Sequence, residues 1–276
     1  MSGVDDRQGR PGHEWREVNR AWWEERAPIH EASQFYRDGL GGLRDFEWED
    51  LGSVDGLRVI HPQCHIGTDT LSLARAGAEV VGLDFSAGAT AAAGRLAEAA
   101  GLADRAEWIT SDVHDAPESV GGRTFDLVYT GQGALCWLPD MDRWADVMWR
   151  LCRPGGRLYV SEFHPVQDIL EVETTRFERS YFGDGTGDRF DDEIGSYADP
   201  DAVTTNNSII DFVHGLAEVV QALLTVGFVL ERFREFPFCV YPRWDFLEER
   251  EERMWFMPAN RPQIPMMYSL RLRRPE

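Results

Sequence analysis

The chain has 276 residues, enough for one α/β domain with additions, and its 43% hydrophobic content can fill a full core. Its 28 basic and 48 acidic residues leave a net charge of −20. That balance repels phosphate backbones and anionic lipid surfaces, and so excludes nucleic acid and membrane as partners. No run approaches the length of a membrane span, and the first residues lack an apolar signal core. Cys64, Cys136, Cys152 and Cys239 have neither C-x-x-C nor zinc spacing, and read as reduced thiols of a cytoplasmic protein.

Residues 1–13 are polar and read as a disordered tail. Residues 14–55 form an N-terminal helical segment. Trp15, Val18, Trp22 and Arg26 recur at near-helical spacing, Pro28 is expected to end or kink the pattern, and 43–55 read as a connector. The main domain runs over residues 56–276. Leu57–Ile60 is a short strand. A helix capped by Thr68 or Asp69 carries Leu71 and Ala74 on its apolar face and stops at Gly77. Val80, Val81 and Leu83 make the next strand, with Asp84 at its end. In such a βαβ unit a nucleotide lies across the strand ends. Asp84, 21 positions beyond Gln63, is spaced to accept two ribose hydroxyls.

The loop between strand and helix is His61-Pro62-Gln63-Cys64-His65-Ile66-Gly67, with one glycine. A dinucleotide pyrophosphate needs three glycines there, and no G-K-S or G-K-T phosphate loop occurs. Downstream, Ala87–Ala100 reads as a helix, Trp108–Val113 as a strand ending in Asp112, and Phe125–Thr130 as a central strand. Met141–Leu151 reads as a helix started by Pro139-Asp140, followed by the turn and strand Arg153–Val160. Residues 164–213 are too long for an ordinary connection and read as an insertion with a β-hairpin. Leu216, Val219, Val220, Leu223 and Leu224 mark a helix ended by Gly227. Two alternating strands, Phe228–Phe236 and Met266–Arg273, flank an aromatic and proline-rich stretch at 237–264.

The segment VIHPQCHIGTDTLSLARAGAEVVGLDFS, with WITSDV, FDLVYTGQGAL and RPGGRLYV in order after it, resembles the motifs of class I S-adenosylmethionine (SAM) methyltransferases. The resemblance covers roughly residues 15–275. It is nearest to a bacterial subgroup with a Gln-Cys-His variant of the first motif, which GSYADPDAVTTNN and MMYSLRLRR also resemble. It implies a Rossmann-like α/β fold, with a seven-stranded, mostly parallel sheet ordered 3-2-1-4-5-7-6. It also implies a helical lid at 14–55 and a substrate cap at about 164–213. The implied cofactor is SAM, leaving as S-adenosylhomocysteine, with no metal. Asp84, with Phe85 and Ser86, would hold the ribose, and Asp112 with Val113 the adenine. Gln63, His65, Gly67, Thr68, Thr130 and Gly131 would flank the methionine portion. Most members of the family carry an acid near position 61 and glycines at 63 and 65. With His61, Gln63 and His65 in those places, the loop either binds the methionine carboxylate or amine through side chains or no longer binds SAM.

Methyl transfer needs an in-line nucleophile and, for O–H or N–H acceptors, a base. His164 follows the strand at the ligand edge, His214 ends the insertion, and Tyr36 follows the first helix. Each is a candidate catalytic residue, and each also has an ordinary structural reading. His30 reads as a surface residue and His61 as a strand-end residue. Ten Trp, 15 Phe and 7 Tyr, many in the lid and walls, suit a planar, hydrophobic acceptor such as an indole or phenol, as in natural-product biosynthesis. The aspartates at 184–192 lack a calcium-loop pattern. The reading is a methyltransferase acting on a small molecule, with a homodimer as one assembly open to it. The alternatives are a SAM-using intramolecular cyclase and a non-catalytic SAM-binding protein.

Overall fold

The first strand forms as β1 (Arg58–Pro62) and runs two residues past the expected end. This computed structural model describes residues 14–37, 42–171, 176–251 and 253–276, so the expected tail at 1–13 lies outside the described residues. β1 pairs in parallel with β2 (Glu79–Asp84) and β4 (Phe125–Thr130). β2 pairs in parallel with β3 (Ala106–Thr110), and β4 with β5 (Cys152–Phe163). The late strands β8 (Val229–Phe236) and β12 (Met267–Arg273) close the sheet, β12 lying antiparallel between β5 and β8. The order β3-β2-β1-β4-β5-β12-β8 is the expected 3-2-1-4-5-7-6.

Side chains alternate across this sheet, so both faces must be covered. Ile60, Val128 and Val160 pack against α7 (Met141–Leu151) and α9 (Leu216–Thr225), with Trp144 and Leu223 at the centre of that cluster. Their neighbours Val59, Leu127 and Tyr159 pack on the other face with Leu51 and Leu73, from α3 (Asp45–Leu51) and α4 (Thr68–Arg75). Helix starts follow local chemistry. Asp140 accepts from the Arg143 N–H at 3.0 Å, and Ser86 caps α5 (Ala87–Ala99) through the Ala89 N–H.

Three expectations need correction. α4 is capped by Gly67, not by Thr68 or Asp69. Its φ of 76° is left-handed, and a Cβ there would lie 2.4 Å from the Trp108 ring. α1 (Glu14–Ala32) does not end at Pro28 but continues through it to Ala32; buried Ala27 and His30 hold the turn on either side of the proline. The supposed connector contains α3, whose Phe46 and Leu51 are buried. The insertion holds an antiparallel pair, β6 (Asp188–Phe190) and β7 (Ile209–Asp211). This is the antiparallel pair expected there, joined by a long loop, residues 191–208.

The remaining elements are short. α2 (Gln34–Arg37) follows α1, α6 (Ala116–Ser119) follows β3, and α8 (Pro165–Asp168) follows β5. In the 237–264 stretch, β9 (Phe238–Cys239), β10 (Glu248–Glu251) and β11 (Met254–Phe256) make a small sheet in the order β10-β11-β9. Among the described residues no helix is long and apolar enough to cross a membrane.

Candidate cofactor and acceptor site

β1 delivers the chain into a loop where two non-glycine residues, Gln63 and His65, take left-handed φ angles of 58° and 52°. This is the path glycines would follow, kept by side chains at a conformational cost of about 1–3 kcal/mol each. Asp84, at the end of β2, fixes it. Its carboxylate accepts the His65 N–H through Oδ2 and the Ser86 N–H through Oδ1, both at 2.9 Å. Burial pushes that carboxyl up to about 6 against the pull of these N–H groups. Phe85 is half-buried and Ser86 buried beside it. Asp112, after β3, accepts from the His114 N–H and ring, and Arg16 pairs with its other oxygen at 3.2 Å. Burial would raise its carboxyl, but His114 and Arg16 together hold it below the ordinary range. Val113 is buried at the same corner.

The other end of the loop faces the turn after β4. Gln63 Nε2 donates to Ala134 O at 2.9 Å, which fixes the amide and leaves Oε1 buried with no partner among the described residues. Glu162, on β5, gathers the N–H groups of Gly133, Ala134 and Leu135. Burial pushes it up to about 7 although these bonds oppose the shift. Thr130 is buried, and Gly131 passes so close to Asp69 that a Cβ would lie 3.3 Å from its Oδ2. Gly131 is therefore a close approach of backbone to side chains.

His61, where the resembled family has an acid, is buried and bonded to Thr70 at 2.9 Å, and burial holds its imidazole down at about 3. The strand-end reading of His61 fits this. Carboxylates reach that corner from elsewhere. Asp69 is raised by burial, and Glu47 of α3 is pushed up to about 7 by burial and by Asp69. Glu47 accepts from Tyr129 OH at 2.9 Å and Gln132 Nε2 at 3.0 Å.

α1 runs over the whole cleft. Arg16 meets Asp112. Glu24 accepts from Ser86 Oγ at 2.6 Å and the Gly88 N–H at 2.9 Å, and His30 Nδ1 meets His65 Nε2 at 2.6 Å. Fourteen residues of helix span about 21 Å, so one helix passes Asp112, Ser86 and His65 in turn. His30 is fully buried, which corrects its surface reading. Its Nε2 contacts Ser196 Oγ at 2.5 Å, and Tyr197 OH lies 3.4 Å from its Nδ1. Tyr36 joins this group through Tyr197, OH to OH at 2.6 Å. Trp23 stands edge-on to both His65 and Trp137.

The insertion reaches the site on the same helix. Arg26, fully buried, donates to the carbonyls of Gly195, Asn206 and Glu193 at 2.9, 2.8 and 2.7 Å. Asn19 bonds both the N–H and the C=O of Ile210.

His164 and His214 are not brought to the loop. His164 accepts the Val166 N–H, capping α8, and its Nε2 lies 3.0 Å from Glu235. His214 bonds Leu138 O at 2.6 Å and Glu218 at 3.2 Å. Both nitrogens of each ring are engaged in fold contacts, so their catalytic reading finds no geometric support. The residues that sequence reasoning missed are Glu24, Glu47, Asp69 and Ser196. Only Asp69, one turn past the loop, stood where the motif could have pointed to it.

Residues 62–158 match a family model described as a methyltransferase domain. A ubiquinone biosynthesis O-methyltransferase of Rhizobium etli is 28% identical over 158 residues, covering 52% of this chain and 62% of the relative. The chain spans less than two thirds of the length of the curated relatives it matches. An S-adenosylmethionine dependent methyltransferase from Mesorhizobium loti aligns with a TM-score of 0.55 at 19% identity, over 89% of this chain and 100% of that one. DhpI in complex with S-adenosylhomocysteine aligns with a TM-score of 0.57 at 18% identity, over 96% and 98%. The fold is the Rossmann-like α/β fold that these solved methyltransferases share.

Proposed function

We propose that this chain is a SAM-dependent methyltransferase acting on a small molecule. The carrying observation is the loop. It keeps a glycine-type path through two left-handed side-chain residues, is pinned by Asp84, and presents an orphaned acceptor, Gln63 Oε1, beside the turn after β4. A buried acceptor without a donor fits a ligand ammonium, because leaving it unmet is unfavourable. The residues present therefore fit SAM. Asp84, Phe85 and Ser86 would take the ribose and Asp112 and Val113 the adenine. Gln63, Gly67, Thr68, Thr130 and Gly131 would surround the methionine portion. When bound, SAM supplies a methyl group on a sulfonium, a cation that the charge of −20 attracts.

α1 and the 164–213 segment act as lid and cap, excluding water from the transfer. Phe163, which stands against Gly133, and its edge-on neighbour Tyr241 offer walls for an aromatic or hydrophobic acceptor such as a phenol or indole. The Rhizobium relative's name as an O-methyltransferase supports a hydroxyl acceptor. Tyr36 would orient the acceptor from the lid. The reading places the chain in the cytoplasm without nucleic-acid or membrane partners, and leaves a homodimer open.

Calorimetry with SAM and S-adenosylhomocysteine tests it. Both should bind, and Asp84→Ala should lose on the order of 1–3 kcal/mol for either ligand. Unchanged affinity in that variant would remove the cofactor placement. The altered loop favours one rival, an intramolecular cyclase, which would release methylthioadenosine in place of S-adenosylhomocysteine.

A further inference from the structure

His65 occupies a left-handed position at which a glycine would be unstrained, and strain of this kind collects at functional sites. Its ring is turned from the loop toward the lid. Nε2 is bonded to His30 Nδ1 at 2.6 Å, and His30 Nε2 continues to Ser196 Oγ at 2.5 Å. Ser196 Oγ also accepts the Ala198 N–H. Loop, lid and cap thus meet in one hydrogen-bonded line. His65 itself is only partly buried, and its Nδ1 is neither hydrogen-bonded within the described protein nor among its buried unpartnered atoms. Trp23 and Tyr36 stand around it, with ring centroids 5.0 and 6.0 Å away.

We propose that His65 Nδ1 receives the acceptor's proton during methyl transfer, with His30 as the positioning residue that sets the His65 tautomer. This rests on the methyltransferase reading and names a residue for its proton step. In the required arrangement His65 Nε2–H donates to His30 Nδ1, and His30 Nε2–H donates to Ser196 Oγ. His65 Nδ1 then carries a lone pair. As the acceptor oxygen or nitrogen bonds to the methyl carbon, the C–S bond breaks and its electron pair stays on sulfur. The acceptor's proton moves to His65 Nδ1. One positive charge passes from sulfonium to imidazolium, and the proton leaves to water when the cap opens. Burial holds both rings well below their ordinary range, His65 at about 3 and His30 at about 2, so both are neutral at rest; the same burial opposes the imidazolium, so the proton can move only as the sulfonium charge is lost.

The first test is the tautomer, read by long-range proton–nitrogen NMR on the free protein with labelled histidine. The expected result is a proton on Nε2 of both His65 and His30. A proton on His65 Nδ1 would overturn the proposal, and this readout needs neither cofactor nor acceptor. The second is His65→Gly, which removes the ring while relieving the backbone. Its SAM affinity by calorimetry should stay within about threefold of the parent. Turnover of labelled SAM, with the best acceptor from a phenol and indole panel, should fall roughly 10²–10⁴-fold and recover partly with added imidazole. Unchanged turnover in His65→Gly would sink the base, and loss of SAM binding would assign His65 to cofactor holding instead. His30→Gln, which keeps an acceptor for Nε2–H, should retain more turnover than His30→Ala at unchanged KM for SAM. Equal losses would deny His30 its positioning role. Failure of the parent protein to bind SAM would overturn the functional reading and this proposal with it, whereas a proton on His65 Nδ1 in a protein that binds SAM would overturn this proposal alone.

Discussion

The sheet and the lid–cap assembly are held by different forces. In the sheet, parallel ladders bring Ile60, Val128 and Val160 into one apolar cluster and Val59, Leu127 and Tyr159 into another. Between α1 and the cap, Trp15 stands edge-on to Phe212 and both join the first apolar cluster with Ile210, while the rest of the joint is polar side chains reaching backbone. These include Asn19 to Ile210, Arg26 to three carbonyls, and Glu25 to Thr205 and Asn206. Apolar burial is non-directional and cumulative, whereas each hydrogen bond replaces one made to water and contributes less net. The body should therefore unfold as one unit. The 164–213 segment should open locally, as its proposed role of cap requires.

The sharpest way to break this comparison is Leu158→Ala, a fully buried position on β5. It should cost about 2–5 kcal/mol of global stability in urea, with cap exchange changed only through global unfolding. Next comes Arg26→Met, which keeps the stem but orphans three carbonyls. Roughly 2–4 kcal/mol of local cap stability should go, seen as hydrogen exchange and proteolysis across 193–206 with the body's midpoint nearly unmoved. If the body midpoint fell as far, lid and sheet would be one cooperative unit.

The third prediction concerns pH. His30 and His65 are held by burial at about 2 and about 3 in the closed lid, against 6.5 for an ordinary ring. Opening takes up protons below 6.5, so closure is fully favoured above that pH and is lost as pH falls toward 3. At pH 5 the loss is up to about 2 kcal/mol per ring. Protection factors in residues 14–37, taken relative to the intrinsic exchange rate at each pH from 8 to 5, should fall at the acid end, and His65→Gly should flatten the fall. The smallest effect is Glu24→Gln. A carboxylate at the start of α5 contributes about 0.5–1 kcal/mol, and its loss should quicken lid exchange slightly and leave urea unfolding within error.

The elements that were legible share one property: their pattern is local. α7 was found to the residue because Met141, Trp144, Met148 and Leu151 recur at helical spacing behind Asp140. α3 was missed because seven residues offer too few apolar positions to set a period. His30 was misread because its burial depends on His65, Ser196 and Tyr197, 35 to 167 residues away in the chain.

The sequence by itself determined the alternation of strands and helices, the sheet order through the resemblance of its motifs, and the places of Asp84 and Asp112. Apolar periodicity and strand-end acids are written in consecutive residues. Only the tertiary structure decided that α1 carries both lid and cap, and that Asp69 and Glu47 bring carboxylates to the corner His61 leaves neutral. The same holds for the line of His65, His30 and Ser196 and for the removal of His164 and His214 to the framework. Each of these depends on hydrogen bonds and burial between distant segments, which no local pattern encodes.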